Sequence, residues 1–256
     1  MPERISERQA AAAVGQPQLM RSWIGALAGC GVTAAQVLLT AEDVDFRARF
    51  VNAHRTLETL LGAGVVPVIN ENDSVAFDEI KVGDNDRLCA LVAGLVGAGE
   101  LVILSVADGV RTDGGRGEII PEIRDFDAAV AHVAPGSSSV GTGGMATKLD
   151  AARIAREMGV ATVIADGTAE GVLTRALAGD QVGTRVPVQA DGGGGASRRK
   201  QWIAHSIRVR GTIVVDVGAA RALADRGASL LPKGIVAVEA RDRDGFAIGA
   251  GVEVRA

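Results

Sequence analysis

Four short apolar runs, residues 35–39, 65–69, 101–105 and 161–165, are separated by stretches in which apolar residues recur at helical spacing. Strands that alternate with helices join in parallel, because each helix carries the chain back to the end at which the next strand starts. The pattern predicts an α/β architecture, a mostly parallel open sheet flanked by helices. A chain of 256 residues with 47% hydrophobic content has the apolar material for one large domain or two unequal ones.

Ser6 and Gln9 have capping-box spacing, which predicts a helix from there to Ala28, kinked or restarted at Pro17. Residues 43–61 place Phe46, Phe50, Leu57, Leu60 and Leu61 at near-helical spacing, and residues 85–96 turn Leu88, Leu91, Val92 and Leu95 inward. Further helices are expected at 147–158 and 170–178. The stretch QADGGGGASRR is too polar and glycine-rich to pack, which predicts a linker over 189–206 between a domain at 1–188 and another at 207–256. The second carries β-like runs at 212–215, 235–238 and 252–254 around one helix-like stretch at 219–225, a small β-rich module.

Charge narrows the partners. A net charge of −4 with both signs interspersed gives no pull toward nucleic acid or an anionic membrane. From residue 208 to 256, eight Lys/Arg stand against six Asp/Glu with Phe246 the single aromatic, too little for stacking on RNA. There is neither a basic-then-apolar leader nor an apolar run of about 18 residues, so a cytoplasmic location is expected. Cys30 and Cys89 lie in helical patterns without CxxC spacing and read as buried free thiols. His54, His132 and His205 are isolated, so no metal-ligating set is expected.

Chemistry concentrates in two stretches. The first, PVINENDSVAFDEIKVGDND, crowds Asn70, Glu71, Asn72, Asp73, Asp84, Asn85 and Asp86 around Lys81. It begins in the run at 65–69, whose strand is expected to end at Asn70, and small ligands bind just beyond the carboxyl ends of strands in open α/β sheets. Capping accounts for part of the Asp84-Asn85-Asp86 run. The remaining cluster suits an amino group, a metal ion or lysines. The second stretch is GTGGMATK, where Gly141, Gly143 and Gly144 offer backbone N–H groups to phosphate oxygens and the following helix adds its positive end. Lys148 falls in that helix's first turn, within reach of a β or γ phosphate. An ordinary loop-to-helix turn with a solvated lysine is the simpler alternative. The GxGxxG spacing of dinucleotide sites is absent.

In order along the chain, QAAAAVGQPQLM (9–20), QVLLT (36–40), VVPVINENDSVAFDEIKVGDNDRLCALVAGLVGA (65–98), GTGGMATKLDAARIA (141–155) and SLLPKGI (229–235) together resemble the glutamate 5-kinases of the amino-acid kinase superfamily. In that family a PUA module follows the kinase domain, matching the β-rich tail. The resemblance implies transfer of the ATP γ-phosphoryl group, with Mg²⁺, to the side-chain carboxylate of L-glutamate, the first step of proline synthesis. It implies that Lys148 stabilises the charge in transit and Asp86 orients the lysine. Asp73, Asn85 and Asn70 would hold glutamate, and Ser105, Val106, Thr142, Gly143, Gly144, Met145, Ala146, Thr147 and Lys148 would surround the nucleotide. A homo-oligomer is expected of such a kinase.

The family's opening KxGSS and SSGA segments have no counterpart before Gln9, Val106 stands where the family carries an acid, and the PUA-like module stops early. A kinase incomplete at both ends, weakly active or inactive by itself, is therefore expected. The alternative is a non-catalytic scaffold or degenerate copy of the same fold that senses glutamate or proline.

Overall fold

The computed structural model describes residues 4–40, 43, 47–75, 84–132, 144–188, 209–240 and 251–255. In chain order the first part contains α1 (Ile5–Ala28), β1 (Ala34–Leu39), α2 (Arg47–Gly62), β2 (Val66–Glu71), α3 (Asp84–Val96) and β3 (Glu100–Ser105). Two short helices follow, α4 (Thr112–Gly115) and α5 (Phe126–Ala131), then α6 (Met145–Glu157), β4 (Ala161–Asp166), α7 (Val172–Leu177) and β5 (Thr184–Val186).

Strands β1 and β2 are parallel, Ala34 opposite Val66 through Leu39 opposite Glu71. Strands β3 and β4 are also parallel, Glu100 opposite Ala161 through Ser105 opposite Asp166, and β5 adds an antiparallel edge to β4. The expected parallel pairing is thus present, divided among the described residues between a two-stranded and a three-stranded sheet. Helix α3 packs against strands of both, β2 and β3.

The run at β4 is unbroken because both its faces are covered. Ile164 joins a core with Ala90, Leu91 and Ala93 of α3 and Leu149, Ala152 and Ile154 of α6, while Val163 and Ala165 join Val172, Ala176 and Val182 on the other side. A parallel strand buried on both faces loses the alternation of a half-exposed one. Helices α3 and α6 approach closely because their facing positions are small. Ala151, Ala152 and Ala155 are fully buried, and a Cβ on Gly94 would stand 2.3 to 2.8 Å from Met158 side-chain atoms. Gly183, at φ +59°, approaches the β4 backbone so closely that a Cβ would lie 2.0 Å from the Ile164 carbonyl oxygen.

Several local expectations are corrected. Helix α1 starts at Ile5 with Arg4 at its N-cap, and the Glu7 carboxylate, not a Ser6–Gln9 box, accepts from the Arg4 backbone N–H at 3.5 Å. It also runs through Pro17 as one 24-residue helix, because a single missing N–H removes one bond from a long ladder. Leu57 is fully buried but Leu61 is exposed, so the inward stripe of α2 is narrower than its periodicity implied; Phe46 lies outside the described residues. Cys30 is exposed in the turn that follows α1, not buried within a helix. Strand β2 continues through Asn70 and Glu71, whose backbones pair with Leu38 and Leu39.

The tail forms β6 (Val209–Val215), α8 (Val217–Arg226), β7 (Ile235–Ala240) and β8 (Gly251–Arg255), with β6 central, antiparallel to β7 and parallel to β8. Asp216 caps α8, its carboxylate accepting from the Ala219 N–H at 2.7 Å. The expected linker at 189–206 lies outside the described residues. Among the described residues no helix is long and apolar enough to cross a membrane.

Candidate active site

Helix α3 opens on the last three residues of the acid–amide stretch, Asp84, Asn85 and Asp86, and α6 opens directly after Gly144, and their mutual packing brings the two N-terminal turns together. There Lys148 Nζ lies 3.1 Å from Asp86 Oδ2. The Thr147 hydroxyl is 2.7 Å from the same oxygen and 2.8 Å from the Gly144 carbonyl, and its single proton favours the charged acceptor. The side chains of Lys148 and Asp86 are only 11% and 18% exposed.

A lysine near a helix N-terminus is electrostatically misplaced unless an anion joins it. Asp86 supplies one negative charge. Lys148 offsets it, and both helix ends turn backbone N–H groups toward the junction, which suits a further anion. The α6 N-cap is Gly144, which has no side chain to cap the first-turn N–H groups. The Cys89 thiol lies 2.9 Å from the Asp86 carbonyl oxygen. Burial, then the Asp86 charge, pushes it up to about 12, so it stays protonated and is no nucleophile at neutral pH.

Four side-chain amides extend from this junction. Asn85 Nδ2 donates to Asn70 Oδ1 at 3.1 Å, Asn70 Nδ2 to Gln16 Oε1 at 2.9 Å, and Gln16 Nε2 to Gln36 Oε1 at 3.2 Å. Gln16 and Gln36 line a cavity of about 250 Å³, whose wall also includes Pro17, Leu38, Glu71, Asn72 and Asp73. The Ser74 hydroxyl donates to Asn72 Oδ1 at 2.7 Å and shapes the turn after β2.

The fold thus brings Asp86, Thr147 and Lys148 into one cluster and joins Asn70 to Asn85, with Asp73 on the cavity wall at the end of β2. Gly144 and Met145 are partly buried at the start of α6, and Ala146 is exposed. Ser105 ends β3 opposite Asp166 and accepts from the Ala107 N–H at 3.4 Å; Val106 is 76% exposed. Among the described residues neither bonds to the Asp86–Lys148 pair. Thr142 and Gly143 lie outside them, as do Lys81 and Gly141. Sequence reasoning missed Gln16 and Gln36. A polar residue inside the AQVLL strand was the available signal, and it named no partner. His54 pairs with Glu58 at 3.2 Å on α2, away from this cluster in sequence, and among the described residues no group of His, Cys, Asp and Glu could hold a metal ion.

The profile of the amino acid kinase family matches residues 2–166, close to two thirds of the chain. The chain belongs to the amino acid kinase family. A PUA domain profile matches residues 211–252, the β6 to β8 region. A protein of Trichlorobacter lovleyi named glutamate 5-kinase is 49% identical to this amino acid kinase over 242 residues, covering 93% of this chain and 64% of the relative. One of the same name from Pelobacter propionicus is 45% identical over 253 residues, covering 96% and 67%. The chain therefore spans about two thirds of the length of the curated relatives it matches. Solved N-acetylglutamate synthase from Neisseria gonorrhoeae, complexed with coenzyme A and L-arginine, aligns at 22% identity over 53% of this chain and 31% of its own. Its TM-score of 0.41 is too low to carry an argument.

Proposed function

We propose that the Asp86–Lys148 junction is the phosphoryl-transfer site of a glutamate 5-kinase, which moves the γ-phosphoryl group of MgATP to the side-chain carboxylate of L-glutamate. The products are γ-glutamyl phosphate and ADP, and the reaction opens proline biosynthesis. The observation that carries this reading is the half-buried lysine, held by Asp86 between two helix N-termini and beside an amide and carboxylate cluster suited to an amino acid. The relatives' shared name supports the choice of glutamate.

A glutamate carboxylate, with an ordinary pKa of about 4.3, is already ionised at neutral pH and needs no general base. One carboxylate oxygen attacks the γ-phosphorus while the bond to the β-bridging oxygen breaks, and ADP leaves with that electron pair. Catalysis then consists of alignment and neutralisation of charge. Lys148 would meet the charge spreading over the phosphoryl oxygens, with Asp86 and Thr147 fixing its ammonium. The uncapped N–H groups opening α6 would receive other phosphate oxygens. Asn85, Asn70 and Asp73 would hold glutamate. Mg²⁺ enters with ATP as part of the substrate.

The test is glutamate-dependent ADP release, with the acyl phosphate trapped by hydroxylamine, alongside calorimetry with glutamate. Lys148→Met is expected to lower the rate by about 10²–10³ while glutamate still binds. Glutamate binding without ADP formation would favour the sensor reading instead. Neither heat nor ADP would refute the proposal.

A further inference from the structure

We infer that Gln16 is a positioning residue that, through Asn70, holds the orientation in which the Asn85 side-chain amide is presented to an amino acid. The inference rests on the proposed use of Asn85 in glutamate binding.

A primary amide has an acceptor oxygen and a donor NH₂ of almost the same shape, so packing alone does not choose between its two orientations. Hydrogen-bond partners choose. The three links from Asn85 to Asn70, Gln16 and Gln36 all run in the same direction, each NH₂ donating to the next carbonyl oxygen. Reversing either middle amide would set oxygen against oxygen at one junction and NH₂ against NH₂ at the other. Polarity is therefore passed along the row. At one end the Asn85 oxygen stays outside the relay, an acceptor suited to the α-ammonium of an amino acid. At the other end the Gln36 NH₂ stays outside it, on the wall of the cavity that Asp73 also lines. The relay ties α1, β1, β2 and α3 together, so the orientation of Asn85 depends on residues up to 69 positions earlier in the chain, as Gln16 and Asn85 are numbered.

Two substitutions at Gln16 separate this role from simple packing. Gln16→Leu keeps the bulk and removes both links. Gln16→Glu keeps an oxygen that accepts from Asn70, so the orientation of Asn70 and Asn85 survives. In the ligand-free full chain, ¹⁵N side-chain amide spectra should show the Asn85 NH₂ resonances moved by Q16L and left in place by Q16E, although Asn85 does not bond to Gln16. By calorimetry Q16L should weaken glutamate binding about 3- to 10-fold, the effect of one neutral hydrogen bond, with MgATP affinity unchanged. It should also narrow the preference for glutamate over glutarate, which lacks the ammonium, and Q16E should restore both. Gln16→Met, which also keeps the bulk and removes both links, gives the same readout should Q16L fail to fold.

Unmoved Asn85 resonances in Q16L, or glutamate binding as weak in Q16E as in Q16L, would overturn the inference. If the parent chain ignores glutamate while Q16L still moves Asn85, the relay stands and the proposed substrate falls. If the parent binds glutamate and Q16L matches it in both measurements, only the relay falls.

Discussion

Replacing Asp86 by Asn removes a negative charge while keeping the volume and an acceptor for the Thr147 hydroxyl. What remains is the Lys148 ammonium, 11% exposed, with its carboxylate partner gone. Exposed ion pairs contribute about 0–1 kcal/mol, and removing one partner of a fully buried pair costs about 3–5 kcal/mol. A pair exposed at 11% and 18% falls between these limits, so Asp86→Asn is expected to cost about 2 kcal/mol. For a chain of this size that lowers the melting temperature by about 4–8 °C. The assay is urea unfolding at pH 7 of Asp86→Asn, Lys148→Met and the double variant. The double should be more stable than the sum of the singles predicts by about 1–2 kcal/mol, because the second substitution removes the stranded charge. High salt should change this coupling little, since a half-buried pair is poorly screened. An Asp86→Asn variant within about 0.5 kcal/mol of the parent, or strictly additive singles, would mean that water already solvates the pair and that Asp86 does not hold the lysine.

Burial and the Asp86 charge raise the Cys89 thiol to about 12, so the fold favours its neutral form. That contribution is full below the unfolded thiol's pKa of about 8.5 and is lost as pH rises toward the folded value, so Cys89→Ala should flatten the alkaline unfolding limb. Iodoacetamide at pH 8 should label exposed Cys30 at least about 10-fold faster than Cys89, read by peptide mass spectrometry. Burial alone would raise the Asp43 carboxyl, but bonds from the Thr40 N–H and hydroxyl, with Arg49, hold it below its ordinary value. Its stabilisation is present above about pH 3.9 and disappears as pH falls through the lower folded value; acid unfolding of Asp43→Asn should lose that component. Gly94→Ala drives a methyl into Met158 and should cost about 1–3 kcal/mol in urea unfolding, partly recovered when Met158→Ala is added.

Much of the scaffold was legible along the chain. The apolar runs at 35–39, 101–105 and 161–165 became β1, β3 and β4 within a residue at each end, because burial and turn chemistry act over short windows. Boundaries failed where a partner intervened. Asn70 and Glu71 look like loop residues, yet β1 offers their backbones a parallel neighbour and the strand continues. Pro17 looks like a break, yet the helix persists around one missing bond.

The sequence by itself determined the alternation of strands and helices, the glycine entry to α6 and the small residues that let α3 and α6 close on one another. It also marked an acid–amide stretch without saying which of its members act together. The tertiary structure decided that Thr147 and Lys148 meet Asp86 across 62 residues or one fewer, and that Asn70 donates to the side-chain oxygen of Gln16, 54 residues away. Spacing along the chain carries no information about such contacts. They arise because burying the apolar faces of α3 and α6 against one another fixes where those helices sit, and the polar side chains at the helix ends must then satisfy one another.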